Sequence, residues 1–271
     1  MFRISCFADE ISPDLNEQVR VMKYLGLKYV EFRSAWDKSV IDLDDAELAE
    51  VKKIFFENGI SVSSIGSPIG KVGIDCNFED YLEKYYRAIR AAHFLDTKNI
   101  RIFSFYNEGM ALCGRREKTI KRLIIMLGIA KREGIVLCHE NEDGIYGQSS
   151  DHCMDMLDTI NDAGFRAVID PSNFVVAGEH PFESLKRIHR HIEYVHAKDS
   201  VFNGEIVPAG KGDGQMREVL DFLRYHDGMF VSLEPHLVLA GKYRGFSGED
   251  LFVIAYNALI DLLKKLQIDY C

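Results

Sequence analysis

The chain has 271 residues, 47% of them hydrophobic and 28% charged, which excludes an extended disordered polymer and allows one large core. Its formal net charge is −9, and the most basic short run, Arg115, Arg116 and Lys118 around Glu117, is too short for a phosphate-backbone track, so no nucleic-acid partner is expected. Six cysteines without a C-x-x-C pair, acids where a signal peptide needs apolar residues, and no run of membrane-spanning length give the expectation of a reduced, cytoplasmic protein with no membrane partner.

Eight short apolar runs rich in β-branched and aromatic residues recur along the chain, each followed by a turn and a longer segment with helical spacing. In order they are FRISCFA from Phe2, KYVEFR from Lys28, SVSSIGS from Ser61, IRIFSFY from Ile100, IVLCHE from Ile135, RAVID from Arg166, IEYVHAK from Ile192 and MFVSLE from Met229. Apolar residues three and four apart fill the intervening segments, as in Val19, Met22 and Leu25 or Leu123, Met126, Leu127 and Ala130. Ser12 and Pro13 predict an N-cap followed by proline at the first helical position, and Asp44 with Glu47 predicts a capping box. Gly26, Gly59, Gly134 and Gly164 fall where helices should stop. Eight alternating units in a chain close to the roughly 250 residues typical of the fold predict an α/β protein, a (β/α)8 TIM barrel formed as one domain over residues 1–271. A doubly wound open sheet is the alternative, but no G-x-G-x-x-G follows the first strand.

In such a barrel the carboxyl ends of the strands converge on one mouth, where reaction sites are built. Strand five ends on Glu140, strand six on Asp170, strand seven on His196 and strand eight on Glu234, spaced by 30, 26 and 38 residues, one βα unit each. Singly, each has an ordinary structural role open to it: a loop acid, a turn cap beside Pro171, a core histidine, an ion-pair partner of Lys198. Together, three carboxylates cost several kcal/mol in repulsion and desolvation unless a cation joins them. The set suits one divalent ion, Mn2+ or Mg2+ by its hard oxygen donors, with Zn2+ or Co2+ admitted by the histidine. Glu142 competes for the place of Glu140 if strand five runs two residues further, His139 should point away from the barrel axis, and His236, two after Glu234, is either a residue of the mouth or a surface-loop histidine. Ser200, His152 and the cysteines offer no nucleophile with a partnered base at readable spacing.

At these four strand ends, and along FADEIS, SPIG, HENEDGIYG, DPSNF, HAKD, PAGKGDG and SLEPH, the sequence resembles the xylose isomerase-like barrel superfamily of sugar and sugar-phosphate isomerases and epimerases. The resemblance implies that Glu140, Asp170, His196 and Glu234 hold the metal. It implies further that Glu140 and Glu234 act as acid and base, moving a proton next to a carbonyl through an enediolate. The implied partner is a small-molecule sugar or sugar phosphate, and a homo-oligomer rests on the resemblance alone. Asn173, Lys198 and His236 are the candidate substrate contacts, with two departures from the family: Asn173 stands where several relatives carry a histidine, and no arginine follows His196 where some epimerases bind substrate hydroxyls, which leaves Lys198 or Lys211 for that role or for binding a phosphate. DNA-repair endonucleases that share the barrel need further histidines at the ends of strands three and four, where this chain reads SIGSP and IFSFY. A noncatalytic sugar-binding barrel is the remaining alternative, which retention of both candidate acid-base glutamates disfavours.

Overall fold

The computed structural model describes residues 1–106, 109, 111–237 and 248–271. Eight strands, β1 (Arg3–Cys6), β2 (Tyr29–Phe32), β3 (Ser61–Ile65), β4 (Asn99–Ile102), β5 (Val136–Glu140), β6 (Phe165–Ile169), β7 (Ile192–Ala197) and β8 (Phe230–Leu233), pair in parallel in the order β1-β8-β7-β6-β5-β4-β3-β2. The terminal strands β1 and β2 lie side by side, joined by a Cys6 thiol contact to the Tyr29 carbonyl at 3.9 Å, so the sheet is a nearly closed barrel. Helices α1 (Leu15–Leu25), α2 (Asp45–Glu57), α3 (Phe78–Phe94), α4 (Leu112–Arg132), α5 (Ser150–Ile160), α6 (Pro171–Val176), α7 (Pro181–Ile188), α8 (Met216–Leu223) and α9 (Gly248–Leu266) fill the crossovers and the C-terminus. This is the TIM barrel that the sequence predicts. Among the described residues, no helix is long and apolar enough to cross a membrane.

The main core lies between barrel and helices, where Ile4, Phe32, Leu137, Ile169, Val195 and Leu233 meet helix residues such as Met22, Leu123 and Leu185. Each such side chain contributes about 1.5–3 kcal/mol when fully buried. Side chains alternate along a strand, so the neighbours of these residues enter the barrel itself. There Cys138, Val168 and Tyr194 form a small separate apolar cluster, while Ser5 and Ser63 share a hydrogen bond of 2.6 Å from β1 to β3. The interior is thus partly polar, which prepares a floor of hydrogen-bonding groups beneath the mouth.

Helix punctuation agrees with the sequence in part. Asp44 and Glu47 form the capping box, with bonds of 2.9 and 3.0 Å. Asp44→Ala is expected to lower stability by about 1 kcal/mol, read from the urea midpoint, and an unchanged midpoint would remove the box from the account. The expected Ser12 cap is displaced: Asp14 is the N-cap of α1, its carboxylate accepting from the N–H groups of Asn16 and Glu17, while Ser12 accepts from Asp14 N–H. A carboxylate satisfies two orphan donors and favours the positive helix end, which a serine hydroxyl does less well. Gly26 ends α1 at φ 75°, but α5 ends on Asn161 at φ 42° rather than on Gly164. Gly164 instead lets α4 approach, since a Cβ there would lie 3.1 Å from Leu127.

Candidate active site

Four strand ends converge as the barrel geometry requires. Glu140 closes β5, Asp170 follows β6 as the N-cap of α6, His196 is near the end of β7 and Glu234 follows β8; all four are buried, and one donor atom of each lies within 4.8 Å of all the others. From His196 Nδ1 the distances are 3.1 Å to Glu140 Oε1, 3.4 Å to Glu234 Oε2 and 3.8 Å to Asp170 Oδ2. Glu142, the competitor for Glu140, sits outside this set and pairs with Lys71 at 2.7 Å. The strand stops at Glu140, two residues short of Glu142.

His139 points away from the axis. Its ring packs beside Phe165 and under Gly147, where a Cβ would come within 2.3 Å of Cε1, and its Nε2 has no hydrogen-bond partner. Burial alone pushes its pKa down to about 3. The folded state therefore binds fewer protons here than the unfolded chain, whose histidine titrates near 6.5. This contribution to stability is complete above that value and is lost as pH falls toward 3, at up to about 1.4 kcal/mol per unit. Urea midpoints between pH 7 and 5 should fall less in His139→Leu than in the wild type; equal slopes would place the protonation elsewhere.

The sequence reading missed three charged residues that shape the site. Glu31 on β2 is fully buried and accepts from Tyr194 OH at 2.7 Å and Ser232 Oγ at 2.7 Å, and its Oε2 lies 3.1 Å from His196 Nε2. A carboxylate behind the imidazole fixes the ring so that Nδ1 faces the other acids. Burial opposes the charge on Glu31, but His196, Arg101 and Ser232 hold its pKa below the usual range. Arg101 on β4 reaches Glu140 Oε2 at 3.2 Å and Glu234 Oε1 at 3.5 Å, and Arg33, just past β2, reaches Glu234 Oε1 at 3.0 Å, Asp9 at 2.6 Å and Glu10 at 2.9 Å. Both guanidiniums lie against the ring of Phe7, at 4.7 and 4.8 Å from its centroid. The missing arginine after His196 is thus matched by two that enter from the opposite wall of the barrel.

Lys198 Nζ lies 2.8 Å from Asp170 Oδ2 and 2.9 Å from Asn173 Oδ1. Burial opposes ionisation of Asp170, and Lys198 with His196 more than offsets it, so its pKa lies below the usual value. His196 shows the converse balance: burial disfavours the cation, yet Glu140 and Glu31 hold its pKa well above 6.5. The Asn173 amide is spent within the protein, on Lys198, the Asn141 carbonyl at 2.8 Å and Glu140 Oε1 at 3.4 Å. Above the cluster opens a cleft of about 450 Å3, whose walls include Arg33, Arg101, Glu140, Lys198, Glu234 and His236. Asn173 and Lys211 are not among its lining residues.

The cluster fits a divalent cation on two observations. Glu140 Oε2, Asp170 Oδ2 and Glu234 Oε2 are buried oxygens without a hydrogen bond. Around them Glu31, Glu140, Asp170 and Glu234, with Asp9 and Glu10, bring six carboxylates against the permanent cations Arg33, Arg101 and Lys198. With His196 also held in its cationic form the excess is two negative charges, and it falls to one when a divalent ion takes the place of that proton.

The model of the xylose isomerase-like TIM barrel family matches residues 19–244, and the chain belongs to that family. Among solved structures, the IOLI protein with a bound zinc atom is 17% identical, with a TM-score of 0.79 over 97% of this chain and 99% of that one. The probable 3-DHS dehydratase AsbF of Bacillus anthracis is 15% identical, with a TM-score of 0.78 over 96% and 99%. A D-tagatose 3-epimerase-like protein is 15% identical, with a TM-score of 0.77 over 98% of both chains. At such identities the likeness is one of fold. No curated protein matches the chain.

Proposed function

We propose that the protein is a divalent-metal-dependent isomerase or epimerase of a sugar or sugar phosphate, in which Glu140 and Glu234 transfer the proton. The observation that carries this reading is the pair of glutamates itself: both are buried, both line the cleft, and each keeps one oxygen free of hydrogen bonds. They arise from β5 and β8, with two strands between, and so approach a molecule in the cleft from different walls. Such a pair suits removal of a proton from a carbon beside a carbonyl and return of a proton, to the opposite face for epimerisation or to the neighbouring carbon for aldose–ketose exchange.

Glu140, Asp170, His196 and Glu234 would hold the ion, Mn2+ or Mg2+ in preference, which when bound polarises the substrate carbonyl and makes the adjacent C–H more acidic. Arg101, between the two glutamates, offers positive charge where an enediolate oxygen develops. Lys198 and His236 line the same cleft within reach of substrate oxygens. Asn173 acts from beneath, fixing Lys198 and Glu140 rather than touching substrate. The neighbours described as a tagatose epimerase-like protein and a zinc-bound barrel support this class of chemistry. At the ends of β3 and β4 stand Gly66, Ser67, Phe103 and Ser104 with no histidine, which counts against a trinuclear endonuclease.

The test is solvent-deuterium incorporation by the Mn2+-loaded protein in D2O, followed by mass spectrometry and NMR across a panel of ketoses and their phosphates. Label at one carbon establishes the proton transfer, and its position separates epimerase from aldose–ketose isomerase. A protein that binds the ion and labels nothing in the panel would overturn the reading.

A further inference from the structure

Lys198 is the only buried lysine among the described residues, and two of the three oxygens around its ammonium belong to the donor set. Asp170 Oδ2 lies at 2.8 Å, Asn173 Oδ1 at 2.9 Å and Glu234 Oε2 at 3.8 Å. Its stem is fixed on both sides. Ala197 ends β7 before it, and Asp199 after it pairs with the 206–207 segment and accepts from the N–H groups of Gly210, Gly212 and Gly214 at 2.8, 3.0 and 2.8 Å. The backbone thus delivers a permanent positive charge to the edge of the four-residue set, while the side chain also forms part of the cleft wall.

We propose that Lys198 is a resident counter-cation of this cluster: it neutralises Asp170 when no ion is held, and a divalent ion binds against its charge. This rests on the metal reading given above and adds that the affinity of the site is set below that of its acids alone. Two positive groups that share Asp170 within a few ångströms repel one another, and the low dielectric of a buried site strengthens that repulsion. Asp170 Oδ2 has no hydrogen bond of good geometry despite the near ammonium, as expected of an oxygen held by charge and open to a second cation.

Metal affinity alone tests this, without any substrate. Mn2+ is titrated calorimetrically into the full-length chain freed of ions by chelator, as the wild type, Lys198→Met, Lys198→Gln and Lys198→Arg. Removal of the charge in Lys198→Met is expected to tighten Mn2+ binding by about tenfold or more. Lys198→Gln, which keeps a donor for Asp170, should gain as much, and Lys198→Arg should stay near the wild type. If loss of the counter-charge weakens the ion-free fold, the rise in Tm on adding Mn2+ will be larger in Lys198→Met than in the wild type, which reports the same preference. Equal or weaker Mn2+ binding in both uncharged variants overturns the proposal, because the ammonium would then only brace Asp170. A wild type that binds no Mn2+ overturns the proposed function and this inference together, whereas binding that ignores residue 198 overturns this inference alone.

Discussion

Glutamine in place of Glu234 is expected to slow solvent-proton exchange into substrate by about a thousandfold, within the range that removal of a general acid or base produces. The wild-type carboxylate is placed by its neighbours: Oε1 faces Arg33 at 3.0 Å, His236 at 3.3 Å and Arg101 at 3.5 Å, while Oε2 faces His196 at 3.4 Å without a hydrogen bond. An amide of the same shape turns its oxygen to the two guanidiniums and its NH2 to the cluster, where it takes up no proton. The fold should survive, since the arginines keep an acceptor and Arg33 keeps Asp9 and Glu10. One charge is also lost from the donor set, so the comparison belongs at saturating Mn2+, with occupancy checked by calorimetry. Glu140→Gln should stop the same exchange from the other wall of the cleft. Undiminished deuterium incorporation by metal-saturated Glu234→Gln would take the acid-base role away from this residue.

The strand ends were legible in the sequence because position there carries meaning. A barrel strand that stops on an acid or a histidine leaves an apolar run abruptly, as in IVLCHE and RAVID, and four such stops one βα unit apart locate the mouth. Glu31, Arg33 and Arg101 were hidden for the opposite reason. They lie within or just past apolar runs, in YVEFR and IRIF, and both faces of a barrel strand are buried, so the alternation that marks an inward face on a half-exposed strand is missing. Register supplies what pattern does not: Ser232 is the β8 partner of His196, and this pairing brings both to Glu31 across the interior. A charge in mid-strand was the available sign, but Arg166 and Glu193 carry it as well and pair with one another away from the cluster, so it did not single out Glu31 and Arg101. The cap at Asp14 was misplaced by two residues because serine, proline and aspartate in succession all favour a helix start, and only geometry selects the one that reaches two N–H groups.

Glu31 therefore carries the second large expectation. Glu31→Ala should destabilise the protein by about 3–5 kcal/mol and weaken Mn2+ binding by about ten- to a hundredfold. The stability loss follows from what remains: Tyr194 OH, Ser232 Oγ and His196 Nε2 converge on one buried carboxylate, and alanine leaves all three facing a void. The affinity loss has a separate cause. With Nε2–H given to Glu31, His196 keeps the tautomer and ring angle that direct Nδ1 toward Glu140, Asp170 and Glu234. Without that acceptor the ring is free to turn, although the Phe7 ring still packs edge-on against it at 5.3 Å. Glu31→Gln separates the two effects, since it fills the space and recovers part of the stability, yet its NH2 opposes donors that already point inward. Urea unfolding measures the first effect and Mn2+ calorimetry the second. If Glu31→Gln binds Mn2+ as tightly as the wild type, the imidazole is oriented by packing against Phe7 and not by the carboxylate behind it.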